Sequence, residues 1–160
     1  NLELVIIGGG DSAYEQSLKE EVKRLELEKV RFMGFLTGEE KERALASLSL
    51  LVMPSEFENL GNVILEGLVR RIPCIDTKGA PWEELNIHQC GWWIDYDQEA
   101  LNRALNTAIH TPKEDRKAMG ERGRQLMEEK YSIEAVAHQM KELYEWIVCP
   151  KDKPQYIHVL

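Results

Sequence analysis

The chain has 160 residues, 43% of them hydrophobic, and a formal net charge of −8. That length and apolar content suit one globular domain able to bury a core, while the negative balance excludes the basic surfaces that hold nucleic acids and anionic membranes. The three cysteines, Cys74, Cys90 and Cys149, form no CxxC pair and imply no disulfide framework or zinc site.

No apolar run approaches the roughly 18 residues of a membrane span, and no signal-peptide pattern opens the sequence, so a reducing cytoplasm is the expected setting. The sequence starts at Asn1 directly before a strand, which suggests a piece of a longer protein.

In chain order, Leu4-Val5-Ile6-Ile7 is a short, partly β-branched run closed by Gly8-Gly9-Gly10, which predicts a buried strand and a flexible turn. Asp11 or Ser12 then caps a helix expected to reach Leu27, and Val30-Arg31-Phe32-Met33-Gly34 alternates like a second strand. A helix over Glu39 to Leu48, a strand over Leu48 to Met53 stopped by Pro54, a helix over Gly61 to Arg70 and a strand at Pro73 to Asp76 follow. Next come a short helix near Trp82 to Asn86 and a last strand at Gly91 to Ile94. Spacing and charge pattern predict helices over Gln98 to Ile109, Lys113 to Glu129 and Ile133 to Ile147. Strands alternating with helices require crossover connections and hence an α/β, Rossmann-like parallel sheet flanked by helices. The expected organisation is one such domain over residues 1–148 and an irregular tail over 149–160, where two prolines interrupt any apolar period.

In a sheet of this kind ligands lie beyond the carboxyl ends of the strands, where loops lead into helix N-termini with unpaired N–H groups. Three segments occupy such places: Gly8-Gly9-Gly10, Gly34-Phe35-Leu36 and Ser55 to Asn62. The triple glycine permits close backbone approach to a ligand, but Ala13 stands where a dinucleotide fingerprint needs its third glycine, so a plain strand-to-helix turn fits as well. The third segment is richer. Pro54 ends a strand, Asn59-Leu60-Gly61-Asn62 falls where the next helix begins, and its N–H groups suit a diphosphate. Glu58 and Glu66 flank that turn. Carboxylates beside a phosphate site are better suited to accept hydrogen bonds from sugar hydroxyls than to touch the phosphates. Against this stands the simpler view that Glu58 caps the helix and Glu66 lies on its solvated face.

Met53-Pro54-Ser55 followed by Glu58, seven residues and Glu66 resembles the Glu-x7-Glu signature of family 4 glycosyltransferases, retaining enzymes of the GT-B fold. The glycines after the first strand, the Val30 to Gly34 segment, Gly67 to Pro73 before Cys74-Ile75, Gly79 to Leu85 and Cys90-Gly91-Trp92-Trp93 are similar in order to members that build bacterial surface polysaccharides. The likeness extends over most of residues 2–147 and points to the C-terminal, donor-binding half.

The resemblance implies that Glu58 is the catalytic candidate, contacting the transferred sugar, and that Glu66 binds ribose hydroxyls. It also implies that Asn59, Leu60, Gly61 and Asn62 hold the diphosphate, with Val63 on the ribose side, Gly9 and Gly10 near the donor, and Phe35 and Leu36 at the nucleobase. The substrate is then a nucleotide-diphosphate sugar, with no metal or other cofactor expected. The partner is an N-terminal acceptor-binding domain outside this sequence, which would also bring the enzyme to the inner face of the membrane. An Arg and a Lys that family members place before the first strand have no counterpart here, so the 160 residues are expected to be inactive alone and to bind donor weakly. A sugar-nucleotide epimerase-like domain and a non-catalytic α/β binding module are the alternatives. His88, His110, His138 and His158 are scattered and suggest neither metal nor triad, Trp92 and Trp93 are expected to pack on opposite faces, and Lys78 is an unassigned cation at a strand end.

Overall fold

The computed structural model describes residues 2–149 and 153–157, in two compact units, Asn1–Ser47 and Leu48–Leu160. The span read from sequence as one domain therefore contains two units. Of the tail, Pro150, Lys151, Asp152 and His158 to Leu160 lie outside the described residues, as does Asn1.

In the first unit β1 (Leu4–Ile7) pairs in parallel with β2 (Val30–Gly34), from Leu4 opposite Val30 to Ile7 opposite Gly34. Between them lies α1 (Ser12–Arg24), opened by Asp11, whose Oδ1 accepts the Tyr14 N–H at 2.9 Å. This helix ends short of the expected Leu27 because Glu26 takes a left-handed conformation (φ 51°). Beyond β2, α2 (Gly38–Ala46) completes the unit.

The second unit holds β3 (Leu51–Met53), α3 (Asn62–Val69), β4 (Cys74–Thr77), α4 (Glu84–Ile87), β5 (Gly91–Ile94), α5 (Gln98–His110), α6 (Lys113–Leu126) and α7 (Ile133–Val148). Its strands run in the order β3-β4-β5, all parallel, with Met53 beside Asp76 and Asp76 beside Trp93. The parallel α/β architecture is as expected, although the strands form two sheets and not one. Alternation along β4 sends Cys74 and Ile75 to opposite faces. Cys74 joins Ile64, Leu68, Trp82, Leu85, Cys90 and Leu126 in one core, and Ile75 joins Ala104 and Ala108 in another. Trp92 and Trp93 divide between these two cores, as their adjacency predicts.

Close packing brings α3 onto the sheet. A Cβ at Gly67 would stand 2.8 Å from Leu51 Cδ2 and 3.1 Å from Cys74 Sγ, so a larger residue there would have to displace these side chains. The long helix expected to reach Glu129 instead ends at Leu126 and passes into a π-helical turn, Met127–Tyr131. That turn presents Lys130 and Tyr131 to the carboxylate of Glu84, which accepts from both side chains.

Candidate functional site

The loop between β3 and α3 is tied down from several sides. Glu58 N–H donates to the Gly79 carbonyl at 2.9 Å, and Thr77 Oγ1 donates to the Ser55 carbonyl. The loop ends at Gly61, with φ 70° and ψ 65°, a left-handed conformation that favours glycine at the cap of α3. The site is also crowded, since a Cβ there would lie 2.5 Å from the Met53 methyl, which would have to move, 3.3 Å from Glu58 Cγ and 3.5 Å from Trp82 Nε1.

Trp82 is wholly buried, and its indole N–H donates to the Leu60 carbonyl. That bond occupies the last carbonyl before Gly61. The N–H groups of Asn62 and Val63 open α3 and have no acceptor within their own helix, so they stand at its positive end. An anion finds backbone donors there. Trp82 is in turn stacked at 5.5 Å, tilted by 39°, on Tyr131. A continuous packed path thus joins the π-helical turn to the start of α3.

Glu58 is half-buried beside this turn, and its Oε1 accepts the Asn59 N–H at 3.0 Å. It does not cap α3, since Gly61 holds that place and no side chain bonds the helix start. Glu66 is half-buried on α3 four residues beyond Asn62, which puts the two on one face of the helix and removes the fully solvated alternative. The structure thus gathers Glu58, Asn59, Leu60, Gly61, Asn62, Val63 and Glu66 around one helix start. Gly9, Gly10, Phe35 and Leu36 belong to the first unit. There a Cβ at Gly9 would touch Phe35 Cβ at 3.6 Å, Gly10 faces open space, Phe35 is 80% exposed and Leu36 is half-buried.

Two residues near the turn differ from their sequence description. Lys78 is not a spare cation, because its ammonium pairs with Asp95 at 2.7 Å and lies over the Trp93 ring. Asp76, which the sequence presents as part of a strand end, is fully buried on β4. Its Oδ1 accepts the Thr77 N–H at 2.8 Å, and its Oδ2 has no hydrogen-bond partner. Burial pushes this carboxyl up to about 6, the Thr77 N–H opposes that rise, and the Glu58 carboxylate adds to it. The sequence shows only an aspartate at the end of the apolar run Pro73-Cys74-Ile75, which does not by itself distinguish a buried from a solvated side chain. The buried thiols of Cys74 and Cys90 are pushed up as well, Cys90 to about 11, which leaves both protonated and unreactive at neutral pH. Among the described residues no group of His, Cys, Asp and Glu side chains is placed to hold a metal ion, and no helix is long and apolar enough to cross a membrane.

The sequence model of the glycosyl transferases group 1 family matches residues 1–126, which takes in every element through the end of α6. The chain belongs to this family. Among known glycosyl transferases, the alpha-1,3/1,6-mannosyltransferase alg2 of Schizosaccharomyces pombe is 26% identical over 113 residues, covering 70% of this chain and 22% of the relative. In structure, Anabaena HepE, solved in complex with UDP, superposes with a TM-score of 0.76 at 20% identity over 90% of this chain and 41% of its own. The C-terminal domain of the group 1 family protein LpcC from Francisella tularensis superposes with a TM-score of 0.66 at 24% identity, over 77% of this chain and 65% of that one. These likenesses show the GT-B glycosyltransferase fold. The chain spans about a fifth of the curated relative and about two fifths of HepE.

Proposed function

We propose that this chain is the C-terminal, donor-binding domain of a retaining family 4 glycosyltransferase acting in bacterial surface polysaccharide synthesis. The observation that carries the proposal is the left-handed Gly61 turn. It opens α3, whose first N–H groups have no acceptor within the helix, its Leu60 carbonyl is held by Trp82, and half-buried Glu58 and Glu66 stand before and after it in the chain. HepE is similar in fold and was solved with UDP, which supports a nucleotide-diphosphate sugar as the ligand.

In the proposed site the backbone from Asn59 to Asn62 receives the diphosphate, Val63 and Glu66 the ribose, and Glu58 the hydroxyls of the transferred sugar. The helix end offsets part of the leaving diphosphate's charge as the glycosidic bond breaks, and no metal is required for this step. The resemblance gives donor contacts to Gly9, Gly10, Phe35 and Leu36 too, and Phe35→Ala tests that share separately. The acceptor site is assigned to an N-terminal domain of the same enzyme, working on the cytoplasmic side of the membrane. Transfer is proposed to need that domain, so the 160 residues alone bind donor weakly and turn nothing over. Family membership leaves the epimerase-like alternative without support.

The test is calorimetric titration with UDP, GDP, ADP and their sugars. One nucleotide series is expected to bind, with Glu66→Ala weakening it by roughly 10- to 100-fold through the loss of charge-assisted hydrogen bonds. Absence of binding to any series, or an unchanged affinity in Glu66→Ala, overturns the assignment. Sugar transfer by the purified chain overturns the part concerning activity.

A further inference from the structure

The carboxyl of Asp76 makes no direct contact in the proposed donor site. It lies on the central strand of the three-stranded sheet, between Met53 of β3 and Trp93 of β5. The methyl of Met53 and the Cγ of Glu58 both abut the empty Cβ position of Gly61. Asp76 is thus one register position from the residue that touches the turn, on the sheet face that packs against α3. It is completely buried, with one oxygen satisfied by a backbone N–H and the other unpartnered. A buried carboxylate with an open lone pair is unfavourable, and a proton on that oxygen removes the charge.

We propose that Asp76 is a positioning residue for Glu58, and that it takes up a proton on Oδ2 when an anionic donor is placed on the Gly61 turn. The proton comes from solvent, so binding consumes one equivalent of buffer acid for each Asp76 that was ionised beforehand. A neutral Asp76 leaves Glu58 as the one carboxylate on the sugar side and lets it stay folded against Gly61. An ionised Asp76 places a second negative charge behind Glu58 and close to the diphosphate, which both turns Glu58 away and weakens the anion.

The other ionisable groups around Asp76 leave this pairing intact. Cys74, on the same strand, is a buried neutral thiol. Among the described residues Glu58 is the one charged side chain acting on Asp76, Lys78 is engaged with Asp95, and Lys130 with Glu84. The inference rests on the donor-site proposal for its ligand, although the carboxyl pair itself is present without one.

Two measurements on the 160-residue chain test it. Carboxyl carbon NMR of the ligand-free protein is expected to show Asp76 titrating near pH 6 and moving lower in Glu58→Gln. Titration in the ordinary carboxylate range, or indifference to Glu58→Gln, overturns the pairing. Calorimetry with UDP-glucose, whose phosphates do not titrate in this range, is then run at about pH 6.5 in two buffers of different ionisation enthalpy. Uptake of a fraction of a proton is expected, abolished in Asp76→Asn, with affinity falling by at most about ten-fold per pH unit as pH rises. Binding without proton uptake in the unmodified chain overturns the proposal, and this arm does not depend on the variant folding. Should UDP-glucose, GDP-mannose and ADP-glucose all fail to bind, the donor site is refuted, while the NMR result still decides the carboxyl pair.

Discussion

At the scale of single residues, Asp76 and Gly61 show what a strand and a turn give up to build a site. An aliphatic side chain at position 76 would have completed the apolar face of β4. The carboxyl there is held at about 6 against an ordinary 3.8, so between those values the folded protein keeps a proton that the unfolded chain has lost. Stability from this group is therefore present at low pH and lost as pH rises through about 6, and the loss reaches about 2 to 3 kcal/mol at neutrality. Asp76→Asn, the same shape without the charge, is expected to melt higher than the unmodified chain at pH 7.5, with the gain fading toward pH 4.5; thermal melts at both values check it. Gly61→Ala works in the opposite direction. Its new Cβ meets Met53 Cε at 2.5 Å on a backbone at φ 70°, so roughly 1 to 3 kcal/mol of stability is expected to go, read as a lower denaturant midpoint. Gly61 was legible in the sequence because it lies in the turn after Pro54 where the next helix begins, within the motif that carries the family resemblance. The burial of Asp76 was not, because one aspartate at the end of a short apolar run looks the same whether its side chain faces water or core.

At the scale of elements, the start of a helix could be read where a capping side chain signals it, as with Asp11, one of the two candidate caps of α1, although that helix stops at Arg24 and not at the expected Leu27. Other misreadings occur where a tertiary contact decides. The strand expected from Leu48 begins only at Leu51, whose N–H donates to the Pro73 carbonyl and whose partner is Cys74, the first residue of β4. The helix expected to reach Glu129 changes its winding at Met127, and the residues that follow are held by Glu84 and Trp82 from a different part of the chain. No local pattern announces that contact. Trp82 joins this packing to the Gly61 turn, the proposed donor site, through one hydrogen bond, and Trp82→Phe separates the two roles. Phenylalanine keeps a ring against Tyr131 but leaves the Leu60 carbonyl without its donor, at a cost of about 1 to 3 kcal/mol. Donor affinity in Trp82→Phe is expected to fall, with the helical circular dichroism unchanged. Unchanged affinity would mean that the carbonyl does not orient the turn.

On the scale of the whole molecule, the ordered set of motifs carried the family, and the family match over residues 1–126 agrees with it. The division into two compact units was hidden, because a loop such as Ser47 to Leu50 has the same composition whether it links two units or two elements of one. Net charge, in contrast, is fixed by sequence alone, and it constrains how an anion is bound. A chain at −8 repels a diphosphate at long range, and in the proposed site attraction would come at contact, from backbone N–H groups and the end of α3. Added salt shortens the reach of the repulsion to about 10 Å at 0.1 M but acts little on hydrogen bonds made inside the turn. Affinity for the donor is therefore expected to hold steady or rise modestly as ionic strength increases from about 20 to about 200 mM, with the gain in the association rate. Stopped-flow fluorescence with the bound nucleotide series measures both quantities. A site built on exposed lysines and arginines behaves in the reverse manner, losing affinity steeply over the same range. A steep loss here would place the diphosphate on side-chain cations and away from the Gly61 turn.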